Sequence, residues 1–271
     1  MSSLSRETPA AVAAVMRRDW LIARSYRTAY VLTFGSAIFN VLAYYFISET
    51  FDGGAGAQLD GAPSYFAFAL VGIVITTTVQ SAALAVARRL REEQLTGTLE
   101  AVAGQPLRDA ELAVGLAGYP FVLSGLRTIA YMLVAGLLFG VSFAETDWVG
   151  FVVIIFTTTA FVLGLGLLIA ALVLLVKRAE SLAGLATFGL AFLGGAFFPV
   201  EAFPSWLEAI ARLAPTRLAY DGTREALYTG EGWGSDAAIL LAIAAVAVPV
   251  GIWAFDRALR RQRRRGTLGE Y

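Results

Sequence analysis

The 271-residue chain contains no cysteine and no histidine, and only 15% of its residues are charged. Without cysteine, disulfide bonds and thiolate metal sites are excluded. Without histidine, the chain lacks the most common general base and metal ligand, which disfavours hydrolytic and metal chemistry. Soluble domains usually carry about 25% charged residues. The shortage of charge therefore argues against a soluble globular protein.

Apolar residues make up 58% of the chain and form long uninterrupted runs. One helix needs about 20 consecutive apolar residues to cross a bilayer. The alternating ten-residue segments that are typical of membrane β-barrels are missing from the sequence. These features predict a single-domain, all-α polytopic membrane protein with six transmembrane helices. The predicted spans are 29–48, 65–87, 112–141, 149–176, 182–198 and 237–255.

The third predicted span is unusually long and contains Pro120 and Arg127. At 1.5 Å per residue its length is about 45 Å, whereas the hydrocarbon core is roughly 30 Å thick. We therefore expect a tilted or kinked helix that begins at the membrane interface.

Basic residues are distributed unevenly between the predicted loops. Seventeen of the 21 lie in the N-terminal segment (five), residues 87–111 (four), residues 177–178 (two) and the tail 256–271 (six). The predicted outer loops contain three, namely Arg212, Arg217 and Arg224. Lysine and arginine concentrate on the cytoplasmic side of membrane proteins. The sequence thus predicts a plasma-membrane protein with both termini in the cytoplasm.

Residues 1–28 precede the first span and are predicted to form an amphipathic interfacial helix. Val12, Val15, Met16 and Trp20 recur at helical spacing with arginines between them. Such a helix lies in the plane of the membrane with its arginines near lipid headgroups. A solvated, charged lead-in is the alternative interpretation.

A short charged stretch, residues 88–104, separates the second and third spans. Its charges and loop backbone exclude it from hydrocarbon, so it must lie in water at the membrane face. Leu95, Leu99 and Val102 fall on one side of a predicted short helix, which a threonine beside Gly97 would cap. Glu92, Glu93 and Glu100 fall on the other side. A merely solvated loop remains the alternative.

This stretch, REEQLTGTLEAVAGQPL at residues 91–107, resembles the loop between the second and third spans of ABC-2 type permeases, the membrane subunits of ABC exporters. In that family an acidic residue, Gly-Thr-Leu-Glu and a proline mark a coupling helix that contacts an ATPase. The residues that the resemblance implies for ATPase coupling are Glu92, Glu93, Gly97, Thr98, Leu99 and Glu100.

A second stretch, GGAFFPV at residues 194–200, is similar to the segment that follows the fifth span of the same family. There, two short re-entrant helices dip into the outer leaflet and form an outer gate. A folded extracellular cap is the alternative. Trp206, Leu207, Ile210 and Leu213 at helical spacing predict a half-helix here, and we expect Arg217 and Arg224 to be neutralised by Glu208, Asp221 and Glu225. The implied gate residues are Phe198, Pro199, Pro204, Trp206, Pro215 and Arg224.

The resemblance implies a chain that works with separate partners. The sequence contains no G-x-x-x-x-G-K-[ST] phosphate loop, and its only lysine, Lys177, follows no glycine-rich turn. Two copies of an ABC ATPase subunit would hold the ATP and magnesium, with no cofactor in this chain, and a second permease copy would complete a homodimer or heterodimer. The implied activity is export of an amphiphilic or hydrophobic substrate (drug, lipid or glycan type) by alternating access.

Two other functions remain open from the sequence. A non-transporting membrane scaffold could anchor a soluble partner without moving a substrate. A membrane-embedded lipid-modifying enzyme is disfavoured, because the chain has no histidine, no cysteine and no aspartate pair within a span.

Three polar residues within the predicted spans are candidates for a substrate pathway, namely Arg127, Thr77 and Gln80. A charge within a membrane span is a functional candidate by default, so Arg127 could contact an anionic substrate or a lipid headgroup. A structural partner for Arg127 is the alternative. The threonine runs 76–78 and 157–159 could also line such a pathway. The alternative is that their hydroxyls bond to the backbone of their own helix, as threonine more often does.

Overall fold

The computed structural model describes residues 17, 20–21, 27–51, 62–95, 97, 109–175 and 179–265, and within these ranges the protein is helical and contains no strand. The first five α-helices are α1 (Arg27–Phe51), α2 (Tyr65–Leu95), α3 (Asp109–Phe139), α4 (Trp148–Leu175) and α5 (Ala179–Leu193). A 3₁₀ turn (Val200–Ala202), α6 (Ser205–Ala211), α7 (Pro215–Arg224), a π-helical turn (Glu225–Thr229) and α8 (Trp233–Arg265) follow. The prediction of an all-α protein is confirmed.

Four helices of the described part are long and apolar enough to cross a membrane. Their apolar stretches are Tyr65–Leu84 in α2, Val122–Phe139 in α3, Trp148–Leu175 in α4 and Trp233–Gln262 in α8. They match the second, third, fourth and sixth predicted spans. The helices at the first and fifth positions, α1 and α5, are not among these four, so the count of six spans stays a prediction.

Helix α5 is shorter than the fifth predicted span. It has 15 residues, or about 22 Å at 1.5 Å per residue, against the roughly 30 Å core of a bilayer. The helix ends at Leu193 because the next two residues are glycines, and Gly195 has a φ of +81°, a left-handed conformation that ends a helix. The apolar run continues to Phe198, but its last residues turn back instead of extending the helix.

Helix α2 is the centre of the bundle. It packs against α4, α3, α5 and α1, and 72% of its most apolar stretch is buried, compared with 22% for α8. Helix α4 connects this centre to α8, with which it shares the most extensive helix pairing in the described structure. The exposed apolar sides of α3 and α8 are therefore part of the lateral surface of the bundle.

Small residues allow these helices to approach closely. Gly166 of α4 faces the backbone of Ala82 and Ala83 in α2, and Gly164 faces Ala247 in α8, with no room for a Cβ atom at either glycine. Membrane helices commonly associate through such residues, since lipid supplies little hydrophobic drive for helix pairing. Helices α4 and α8 run parallel, because Gly150 contacts Trp233 near their starts and Gln262 bonds to the Leu174 carbonyl near their ends.

The two ends of the bundle differ in character. Residues 194–232 are here named the cap. At one end of the bundle, the cap and the turn 140–147 cover the first residues of α2, α4 and α8. At the opposite end α4 and α8 finish side by side, with Gln262 donating a hydrogen bond to the Leu174 carbonyl. Helices α2 and α8 carry nine arginines near this end, namely Arg88, Arg89, Arg91, Arg257, Arg260, Arg261, Arg263, Arg264 and Arg265.

Helix α2 extends eight residues beyond its predicted end at Ala87, to Leu95. Arginine, leucine, glutamate and glutamine are good helix formers, so the helix continues after the apolar run stops. The extension lengthens α2 by about 12 Å, and because Leu90 is still buried, only its last turn projects from the bundle. Most of the predicted N-terminal amphipathic helix and of the predicted coupling helix lies outside the described residues.

Candidate functional site

The cap is built from short helices whose ends are set by glycine and proline. Pro199 and Pro204 precede the 3₁₀ turn and α6, and Pro215 is the first residue of α7. Proline suits such positions because its fixed φ matches the first helical turn and its missing N–H would have no intrahelical partner there. A seven-residue helix, α6, lies between Pro204 and Pro215, and the re-entrant half-helix stays a prediction.

Backbone contact fixes the start of the cap against α2. A Cβ atom built on Gly72 of α2 would lie 1.9 Å from the carbonyl oxygen of Ala196. Tyr65, at the start of α2, donates a hydrogen bond to the Phe197 carbonyl (3.1 Å). The Tyr228 hydroxyl, from the end of the cap, donates to the Ala67 carbonyl (2.8 Å). The two ends of the cap thus bind the first two turns of the central helix.

Tyr220 of α7 connects the middle of the cap to the middle of α2. Its side chain is fully buried, and a hydrogen bond of 2.9 Å joins its hydroxyl to that of Thr76. The ring packs directly on Gly194, where a Cβ atom would lie 2.7 Å from it. Thr216, one turn earlier, donates to the Leu190 carbonyl of α5 (2.7 Å). Helix α7 is thereby held between α2 and α5.

The Tyr220–Thr76 hydrogen bond predicts energetic coupling between the cap and α2. We expect Tyr220→Phe and Thr76→Val each to lower the free energy of unfolding by about 1 kcal/mol, the usual net value of a buried hydrogen bond. The double variant should cost clearly less than the sum of the single changes, because both remove the same bond. Thermal unfolding of the detergent-purified variants measures this, and strict additivity would contradict the coupling.

Arg224, the last residue of α7, is a fully buried charge. Its guanidinium donates a hydrogen bond of 2.7 Å to the Gly195 carbonyl, and its carbon atom Cζ lies 3.7 Å from the centre of the Phe68 ring. Asp221, one turn earlier, supplies a carboxylate oxygen 3.4 Å away. One side chain therefore contacts the start of the cap, the end of α7 and the central helix.

Asp221 is shared between two arginines. It accepts a hydrogen bond of 2.8 Å from Arg217, which also lies 3.4 Å from Glu201. Burial raises the pKa of the Asp221 carboxyl above its ordinary value, although the Arg224 and Arg217 guanidinium groups act in the opposite direction. Glu208 instead pairs with Arg212 at 2.6 Å. The expected neutralisation is thus confirmed for Asp221, whereas Glu208 is used elsewhere.

The turn 140–147 supports the cap from the side. Asp147 accepts a hydrogen bond from the indole nitrogen of Trp233 (2.9 Å), and its own N–H donates to the Ala226 carbonyl (2.9 Å). Thr146 donates to the Leu227 carbonyl (2.8 Å). These bonds join the π-helical turn and the start of α8 to the turn that precedes α4. The cap is therefore bonded to α2, to α5 and to this turn.

The remaining side of the cap is apolar and exposed. Trp206, Ile210 and Leu213 lie on one face of the α6 region, and Leu213 is 83% exposed. Phe198, at 46% exposure, adds to the same kind of surface. Monomeric soluble proteins rarely expose large apolar patches, so this face is suited to lipid or to another protein chain.

The predicted pathway residues lie halfway along α2 and α3. Thr77 donates to the Ile73 carbonyl of its own helix (2.8 Å), and Thr78, Thr157 and Thr159 bond to their own helices in the same way. Gln80 is half-buried three residues after Thr77, hence on the same face of α2. Arg127 of α3 is half-buried beside Tyr131, whose phenol also lies next to Thr77.

The predicted ATPase-coupling residues begin at the projecting end of α2. Glu92 is exposed and pairs with Arg89 (2.9 Å), and Glu93 lies in the same last turn. Gly97 is exposed with a φ of +72°, a conformation that turns the chain away from the helix direction. Thr98, Leu99 and Glu100 lie outside the described residues.

Sequence reasoning singled out Arg224 and Pro215 but missed the groups that hold them. Phe68, Gly72 and Tyr220 were not candidates, because aromatic and small residues are ordinary in an apolar span. Their partners are also distant in sequence. The expected pairing of Arg224 with Asp221 was the one sequence signal for this cluster, since buried charges must be paired.

Comparison with known protein families gives one match. The model of the ABC-2 type transporter family matches residues 10–228, from before α1 to the π-helical turn of the cap. No individual curated protein matches the chain.

Proposed function

Because the chain belongs to the ABC-2 type transporter family, a family of membrane permeases without an ATPase site of their own, we propose that it is the permease subunit of an ATP-driven exporter. A separate ABC ATPase, present in two copies, would bind ATP and magnesium. A second permease copy would complete the transporter. The complex would move an amphiphilic or hydrophobic substrate outward across the plasma membrane, with both termini of this chain in the cytoplasm.

The observation that carries this proposal is the continuity of α2. One 31-residue helix, about 46 Å long, binds the cap at its first turns and projects from the bundle at its last turn. A helix of this length transmits a displacement at one end to the other. A force applied near Glu93 would therefore reach Tyr65 and the cap without passing through a flexible segment.

This geometry suggests how ATP hydrolysis would drive transport. Closure of the two ATPase subunits would displace the loop that joins α2 to α3, and both helices would tilt as rigid bodies. Because the cap is attached to α2 and to the top of α4, a change in the angle between these helices would open or close the outer face. Such rigid-body motion between two states is a common mechanism of coupling.

The test is charge reversal in the coupling loop. We expect Glu93→Lys with Glu100→Lys to reduce assembly with the ATPase and transport-coupled ATP hydrolysis about tenfold or more. Like-charge juxtaposition at an interface costs several kcal/mol, and 1.4 kcal/mol corresponds to a factor of ten. Co-purification of the ATPase and the hydrolysis rate of the reconstituted complex are the measurements.

The matched control is Glu231→Lys, which reverses an exposed carboxylate at the cap end. It should leave assembly and hydrolysis unchanged. Unchanged assembly and turnover in the loop variant would contradict the coupling role. Normal assembly of a complex that never transports substrate would instead favour a membrane scaffold.

A further inference from the structure

Arg127 lies near the middle of the membrane-spanning part of α3. It precedes the end of the helix at Phe139 by twelve residues, and Thr77 follows the start of α2 at Tyr65 by twelve residues. At 1.5 Å per residue both lie about 18 Å from the cap end, within an apolar core roughly 30 Å thick. Arg127 and Thr77 are therefore at a similar depth, and the buried Tyr131 phenol interacts with both side chains.

The membrane-crossing helices that the structure describes supply no carboxylate at this depth. The apolar stretches 28–48, 65–91, 112–144, 149–179 and 237–255 contain no aspartate or glutamate. The same stretches of a second copy would therefore also lack a counter-ion at this level. This sets Arg127 apart from Arg224, whose charge is balanced by Asp221 in the cap.

Arg127 is also incompletely hydrogen-bonded. Its Nε atom is buried and has no hydrogen-bond partner among the residues that the structure describes. A charged group in hydrocarbon is costly unless a partner neutralises it, and buried charges in membrane spans mark substrate or ion pathways. A guanidinium offers several donors in a planar fork that matches the oxygen atoms of a phosphate or carboxylate.

We propose that Arg127 and Tyr131 form an anion-binding site at mid-membrane depth, which accepts the charged group of an anionic amphiphile. The inference rests on the proposed export function and deepens it, because it assigns the substrate to amphiphiles that carry a phosphate or carboxylate group. The guanidinium binds the anion and the Tyr131 hydroxyl donates a further hydrogen bond. The apolar sides of α2 and α3 contact the hydrocarbon part of the ligand.

Binding of dodecyl phosphate to the purified full-length permease in neutral detergent tests the site. Dodecylphosphocholine, which has the same chain length but no net charge, is the comparison ligand. We expect saturable binding of dodecyl phosphate, and a loss of about tenfold or more in Arg127→Gln, because hydrogen bonds to charged groups contribute about 1.5–3 kcal/mol. Dodecylphosphocholine should bind weakly, and equally to the wild type and to Arg127→Gln.

Two further variants keep the test decisive if Arg127→Gln does not fold. Arg127→Lys retains the charge and should retain part of the affinity, whereas Tyr131→Phe removes one hydroxyl and should weaken binding several-fold. Arg212→Gln, an exposed arginine in the cap, is the control and should bind like the wild type. Equal dodecyl phosphate binding by the wild type, Arg127→Lys and Tyr131→Phe would overturn the proposal.

The source of the anion and the export function are tested separately. In vesicles of phosphatidylcholine, added phosphatidylglycerol should compete with dodecyl phosphate if a membrane lipid is the ligand, and should fail to compete if the site selects a soluble amphiphile. If Arg127→Gln abolishes dodecyl phosphate binding but the coupling-loop variant, Glu93→Lys with Glu100→Lys, leaves coupled ATP hydrolysis intact, the export mechanism is contradicted and the anion site is supported. If the loop variant abolishes coupled hydrolysis while Arg127→Gln binds normally, the site fails alone.

Discussion

Replacing Gly72 by alanine is expected to displace the cap from α2. The added Cβ atom would lie 1.9 Å from the Ala196 carbonyl oxygen, a distance that no side-chain rotation can relieve, because the contacted atom belongs to the backbone. Overpacking of a well-packed core costs typically 1–3 kcal/mol, and occasionally more. We expect a loss of about 3 kcal/mol or more, measured as a lower midpoint of thermal unfolding of the detergent-purified protein.

Gly125→Ala is the matched control for this prediction. Gly125 also lies inside an apolar helix, α3, but a Cβ atom at this position would meet nothing within 4 Å. Alanine is the better helix former by roughly 1 kcal/mol, so this variant should be as stable as the wild type or slightly more stable. If both variants unfolded at the wild-type temperature, the cap would not pack on α2 in the way described.

Replacing Arg224 by methionine is the second change with a large expected effect. Methionine fills a similar volume but cannot donate to the Gly195 carbonyl or balance Asp221. Removing one partner of a buried ion pair costs about 3–5 kcal/mol, since the other group is left buried and poorly compensated. Thermal unfolding should show this loss, and limited proteolysis should cut the cap region faster than in the wild type.

Arg212→Met provides the comparison for Arg224. Arg212 also pairs with a carboxylate one turn away, Glu208, but its side chain is 61% exposed. Exposed ion pairs contribute about 0.2–1 kcal/mol, so this variant should be nearly as stable as the wild type. Comparable losses in the two variants would contradict the assignment of Arg224 as the buried charge that fixes the cap.

The sequence predicts the long helices well, because crossing a bilayer demands a signal of about 20 apolar residues. It predicts their ends less well. Hydropathy places the end of the second span at Ala87, whereas α2 continues to Leu95, because helix propensity and hydropathy are different properties. The fifth span was predicted to reach Phe198, but the Gly194–Gly195 pair ends α5 at Leu193.

The contacts of the cap could not be predicted from local patterns. The Tyr220–Thr76 hydrogen bond joins residues 144 positions apart, and the Tyr228–Ala67 bond joins residues 161 positions apart. No periodicity in either segment specifies its partner. Arg224 was a candidate through the family resemblance and through its expected pairing with carboxylates, and its burial against Phe68 becomes apparent only in the fold.

Most hydroxyls of the two threonine runs, 76–78 and 157–159, make local hydrogen bonds of the kind that a sequence predicts. Most of these hydroxyls bond to the carbonyl three or four residues earlier, as Thr77 and Thr157 do, which is the ordinary behaviour of threonine in an apolar helix. Thr76 differs because Tyr220 reaches it from the cap. Spacing alone does not separate this threonine from its neighbours.

The proposed coupling requires that the projecting end of α2 faces the cell interior, where an ATPase can bind it. Side-specific labelling tests this directly, because the natural chain has no cysteine and therefore no background. With Glu92→Cys, an exposed position in the last turn of α2, a membrane-impermeant maleimide should label inverted vesicles and not intact cells. Glu231→Cys in the cap should show the reverse pattern. Labelling of Glu92→Cys in intact cells would place this end outside, out of reach of any cytoplasmic ATPase, and would contradict the coupling mechanism.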